Sequence, residues 1–79
     1  MSDPVDDLIR MAADRKNRLP AAPVRRQIRE QAGVSLRELG NAIGVSFAAI
    51  QRWETNSSPR KPEHRERYAR ALEGLKKIP

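Results

Sequence analysis

The 79-residue sequence predicts an all-α fold, a compact bundle of about five short helices with two of them joined by a tight central turn. Three observations carry this. Apolar residues recur at three- and four-residue spacing in five segments, and no segment shows the period-two alternation of a strand. Ser, Asp or Pro opens each segment, and the first four are closed by stretches containing Gly or Pro. Gly40 and Gly44 stand where a close helix crossing and a left-handed turn residue would be needed.

The elements follow in order. Asp3 caps a first helix and Pro4 suits its first position. Val5, Leu8, Ile9 and Ala12 share one face, and Asp6–Arg10, Arg10–Asp14 and Asp14–Arg18 are spaced to pair along the surface. The stretch LPAAP, residues 19–23, breaks this helix, so residues 1–19 form an accessory segment and 20–79 the main domain. Pro23 starts a second helix with Val24 and Ile28 inward, and Gly33 and Val34 close it. Ser35 and Glu38 form a capping box for a third helix, LRELGNAI, which ends at Gly44. Ser46 caps a fourth, FAAIQRWET, followed by the loop NSSPRKP. Pro62 opens the last, PEHRERYARALEGL, with Tyr68, Leu72 and Leu75 inward and Ala71 beside them.

Hydrophobic content is 38% and there are three aromatics, so the core is small. Its expected members are Val24, Ile28, Leu36, Leu39, Ile43, Val45, Ile50, Trp53, Tyr68, Leu72 and Leu75. The absence of cysteine excludes disulfides and thiolate metal sites. The N-terminus lacks a secretory signal and no apolar run is long enough to span a membrane, so an intracellular protein is expected. The net charge is +6, and it lies entirely in residues 23–79, with twelve basic groups against six acidic. A polyanionic partner would suit this charge, but so would ordinary solubility.

Residues 36–54 meet several demands of a helix-turn-helix together. Gly40 permits the helices to touch, Gly44 permits the turn, and Leu39, Ile43, Val45, Ile50 and Trp53 anchor both sides. With these residues in place, 23–75 resemble the Cro/lambda-repressor-like, or XRE, helix-turn-helix family. The match runs through GVSLRELGNAIGVSFAAIQRWE and SPRKPEHRERYARALEGL, including Ala71-Leu72 near the end. The resemblance implies sequence-specific binding of duplex DNA by a transcriptional regulator, usually a repressor and often of phage or mobile-element origin. It also implies that Arg29 pairs with Glu54 and that Arg60 and Lys61 meet phosphates. One departure stands out. The first position of the motif, often a phosphate-holding Gln, is Leu36 here, so a phosphate contact there falls to backbone N–H groups or Arg37, or is absent.

With Ile50 inward, a 100° step per residue puts Ala48 and Arg52 nearly opposite, flanked by Gln51 and Thr55. Arg52 is suited to guanine, Gln51 to adenine, and Ala48 and Phe47 to a thymine methyl. Phe47 serves equally as core filler. Arg25 and Arg26, at a helix start, are candidates for phosphate, along with Arg37, Ser46, Thr55, Asn56, Ser58, Arg60 and Lys61. Arg65, Arg67 and Arg70 read chiefly as a solvated face. Ser35 and Ser46 read as caps rather than nucleophiles, and His64 has no partner for metal or catalysis. Duplex DNA is therefore the expected partner, with no enzyme activity, cofactor, metal or membrane, and with a cytoplasmic, nucleoid-associated location. Family members often form homodimers on palindromic sites. Three roles stay open for the N-terminal helix: packing on the domain, pairing with a second copy, or contacting another protein. The competing function is a protein-interaction module, antitoxin-like or polymerase-binding, that uses the same motif as scaffold; the weakly polar FAA favours it.

Overall fold

The computed structural model describes residues 3–16 and 18–79, with side chains omitted for 13–17. Among the described residues the chain is all-helical: α1 (Pro4–Lys16), α2 (Ala22–Gln31), α3 (Leu36–Ile43), α4 (Phe47–Trp53) and α5 (Pro62–Lys76). The principal packing is α3 on α4, α2 on α5 and α3 on α5. No helix among the described residues is long and apolar enough to cross a membrane.

Local chemistry accounts for the ends. The Asp3 carboxylate accepts the Val5 N–H at 3.0 Å. α2 starts one residue before Pro23, with Ala21 capping through its backbone alone. Ser35 and Glu38 complete the capping box in both directions, at 3.0 Å each. Ser46 Oγ accepts from the Ala49 N–H. The Ser35 backbone and side-chain hydrogen bonds hold the Glu38 carboxyl below its ordinary pKa. This contribution is present above the unfolded pKa and is lost as pH falls through the lower folded value.

α4 stops at Trp53, two residues earlier than the sequence suggests. The amides of Thr55, Asn56 and Ser57 all converge on the Arg52 carbonyl, which winds the chain into a tight turn instead of a further helical one. On α1, Arg10 meets Asp7 at 4.0 Å. The expected Arg10–Asp14 and Asp14–Arg18 pairs involve Asp14, whose side chain lies outside the described set.

The core comprises Ile28, Leu39, Ile43, Ala49, Ile50, Trp53, Tyr68 and Leu72, with Leu19, Val34, Leu36, Val45, Ala71 and Leu75 packed around it. Two assignments change. Val24 is 42% exposed, because α2 turns Arg25 and Ile28 inward and Val24 lies a full helical step away. Ala49 is buried in its place. Leu19, placed by sequence in the accessory segment, packs against the core, so the main domain begins before residue 20. α1 differs from the other helices, since Val5, Leu8 and Ile9 are about 60% exposed.

The crossing of α3 and α4 is the tightest approach. A Cβ on Gly40 would stand 2.7 Å from the Val45 carbonyl oxygen and 3.3 Å from the Ser46 backbone. Gly44 ends α3 at φ 93°, which an L side chain resists. Gly40→Ala is therefore expected to lose about 1–3 kcal/mol through overpacking, despite the ~1 kcal/mol that alanine normally gains in a helix. Chemical denaturation measures this. A variant as stable as the parent would mean that the two helices can part without cost.

Candidate nucleic-acid interface

The outward face of α4 is built by what its inward face holds. Ile50 is fully buried, and Ala49 and Trp53 are nearly so. Trp53 stacks at 5.1 Å on the Tyr68 ring and lies 6.3 Å from His64. His64 thus sits against an indole. Among the described residues no group of His, Cys, Asp or Glu is placed to hold a metal. With that face inward, Phe47, Gln51 and Arg52 are exposed and Ala48 is half-buried. Phe47 is 49% exposed, which resolves its two sequence readings in favour of the surface. The Arg37 guanidinium lies 5.8 Å from the centre of its ring, a cation–π contact at the leading end of α4.

Two arginines of α2, one turn apart, hold the trailing end of α4. Arg29 Nε and Nη2 donate to Glu54 Oε2 and Oε1 at 2.6 and 3.0 Å, and Nη1 donates to the Val34 carbonyl at 2.9 Å. The pair is largely enclosed, with the Arg29 side chain 12% and Glu54 4% exposed. The hydrogen bond from Glu54 raises Arg29 above its ordinary pKa, outweighing burial. The Tyr68 hydroxyl beside them meets no partner among the described residues. Burial first, then the charge of Glu54, pushes its pKa up to about 12, so it stays a neutral phenol at physiological pH.

Arg25 corrects its sequence assignment. It is 7% exposed rather than facing a phosphate. Its guanidinium donates to the carbonyls of Pro20 (2.7 Å), Trp53 (2.9 Å) and Ser57 (3.0 Å), and to Ser58 Oγ (3.2 Å). One side chain therefore joins the linker before α2, the end of α4 and the loop after it. Nothing in the residue type announces this. The available signal is position, since Arg25 shares a face with Ile28 and Arg29.

The other basic residues divide in the same way. Arg67 donates to the Ile43 carbonyl at 3.1 Å and closes the end of α3, and Arg65 reaches the Pro59 carbonyl at 3.4 Å. Arg70 is exposed beside the α3–α5 groove. Arg26 is exposed and paired with Glu30. It also lines a shallow notch with Gln51 and Thr55, so these three lie together. Thr55 Oγ1 donates to the Gln51 carbonyl at 2.9 Å, which commits the hydrogen a phosphate would need and removes it from the phosphate set. Ser46 and Ser58 only accept at their hydroxyls and keep a hydrogen to donate. Asn56, Arg60 and Lys61 are exposed on the loop that Arg25 ties down. At α3, Leu36 packs against the core, and the Glu38 carboxylate occupies the helix start. A phosphate there would meet negative charge, which leaves Arg37 of the three alternatives.

This arrangement is a short helix, braced at both ends, with a polar outer edge and a basic loop. The family model described as Helix-turn-helix, of the Cro/C1 (XRE) type, matches residues 26–74, well over half of the chain. The chain belongs to this family. It is a DNA-binding transcription regulator of the XRE type, a regulatory rather than enzymatic family, and double-stranded DNA is its partner. No curated protein and no solved structure matches it.

Two variants test the brace. Glu54→Ala strands Arg29 in a mostly enclosed place and is expected to lower stability by ~3 kcal/mol. The double variant Arg29→Met/Glu54→Leu should lose far less than the two single losses combined. A Glu54→Ala protein with the parental melting midpoint would place the pair in solvent. Arg25→Ala should cost at least about 2 kcal/mol, since carbonyls at the end of α4 lose their donor. In salt titrations of DNA affinity, done where the variant is folded, its slope should match the parent. A slope flattened by about one would return Arg25 to the phosphates.

Proposed function

We propose that this regulator is a repressor of phage or mobile-element type that reads a specific duplex site by laying α4 in the major groove. Phe47, Ala48, Gln51 and Arg52 read bases. Arg26, Arg37, Ser46, Asn56, Ser58, Arg60 and Lys61 meet phosphates on either side. The observation that carries this reading is the division of the arginines. Arg25, Arg29 and Arg67 point inward to carbonyls and a carboxylate, while Arg52 alone lies outward on α4. Arg60 and Lys61 are exposed on the adjoining loop. A cytoplasmic, nucleoid-associated location and binding as a homodimer on a palindromic site belong to the same proposal. Residues 1–16 are accessory to DNA contact.

The exposed ring of Phe47 favours a second reading, in which the leading end of α4 docks on a protein. Duplex affinity separates the two.

Arg52→Ala is expected to cost about 1–3 kcal/mol on the selected site and to relax preference at one base pair. Arg60→Ala and Lys61→Ala should weaken selected and scrambled duplexes alike, each flattening the salt slope by about one. Site selection on random duplex, followed by titration of all three variants over a salt series, checks both. Equal weakening of both duplexes by Arg52→Ala would make it a phosphate contact. If none of the three changes binding, the protein-docking reading replaces this one.

A further inference from the structure

We propose that α1 is a self-association element, in which the α1 helices of two copies pair antiparallel through Val5, Leu8, Ile9 and Ala12. The stripe is apolar, and the chain's own fold leaves it exposed: Val5 is 60%, Leu8 59% and Ile9 61% accessible. The principal helix packing lies among α2, α3, α4 and α5. A thirteen-residue helix without a packed face is marginal in water, so α1 is a helix in want of a cover.

The charges say what covers it. Asp3, Asp6 and Asp7 give the first part of the segment −3. Arg10, Arg15, Lys16 and Arg18, against Asp14, give residues 10–18 +3. A parallel pair would set like charge on like. An antiparallel pair sets −3 on +3 at both ends, and a two-fold axis makes the surface complementary to itself. A uniformly charged partner, acidic or basic, would be attracted by one half and repelled by the other. The gradient also suits the dipole of α1 itself, but the dipole does not explain the apolar stripe.

Four modest side chains per copy fall well short of the ~1,200–2,000 Å² of a stable interface. The contact is therefore weak in free solution, and it strengthens when one duplex holds two copies together. That second effect rests on the DNA reading, whereas the pairing does not, so the test is made without DNA.

Sedimentation equilibrium of the full chain, from micromolar to millimolar, should show the average mass rising toward a dimer. Leu8→Asp should remain monomeric. So should Asp6→Lys/Asp7→Lys alone and Arg15→Glu/Lys16→Glu alone, while an equimolar mixture of these two charge variants associates again. The melting midpoint of the domain should be the same in all of them, because α1 lies outside the core. A parent that stays monomeric throughout overturns the proposal, as do charge variants that associate like the parent or a mixture that does not. An association lost only with Leu75→Asp would move the contact to the groove of Val34, Ala42, Ala71 and Leu75 between α3 and α5, and the α1 pairing would be wrong.

Discussion

The recognition helix depends on its attachment to α2 through Arg25 and Arg29. At seven residues, α4 is too short to hold itself together, since so few turns cannot offset the cost of helix nucleation. Its shape is imposed from outside. Ile50 and Trp53 fix the buried face, Ser46 fixes the start, and the two α2 arginines fix the finish by way of the Trp53 carbonyl and the Glu54 carboxylate. Because Arg25 also reaches Ser57 and Ser58, the loop carrying Arg60 and Lys61 takes its position from the same side chain. Helix and loop are set relative to each other by one helix behind them.

This arrangement changes the meaning of the net charge. A formal +6 suggests a surface rich in free cations. Much of the arginine, however, neutralises the ends of helices inside the protein. Arg25 and Arg67 supply N–H groups to carbonyls at the ends of α4 and α3, where the helix dipole is negative and the backbone lacks donors. Arginine suits this work because its fork satisfies several oxygens at once while its stem packs among apolar neighbours. The cations left outside are fewer and more localised than composition implies, and localisation is what a groove-reading surface needs.

Much of the fold was legible because its signals are local. Ser35-x-x-Glu38, Gly40, Gly44 and Ser46 each act within a few residues of themselves, so spacing alone revealed them. Family resemblance, not spacing, supplied the Arg29–Glu54 pair, whose members lie 25 residues apart. Arg25 was misread because a charged residue near a helix start looks like a surface residue. Its burial depends on three distant oxygen-bearing segments that no periodicity connects. Val24 was misplaced for the related reason that α2 uses charged residues on its inner face, which shifts the apparent apolar phase. Thr55 was misjudged because its fate depends on where α4 stops. The site residues on α4 were readable to the extent that one inward anchor, Ile50, sets the direction of all the others.

The separation between inward and outward side chains has an evolutionary consequence. Gly40, Arg25, Arg29, Glu54 and Ile50 hold the frame and look inward, while Gln51 and Arg52 look outward from a helix whose stability comes from elsewhere. Substitutions at the outer positions change what is recognised without touching what keeps the chain folded. A lineage carrying this domain can therefore drift from one operator to another in single steps, passing through stable intermediates. Its frame is free to stay constant while its targets diverge.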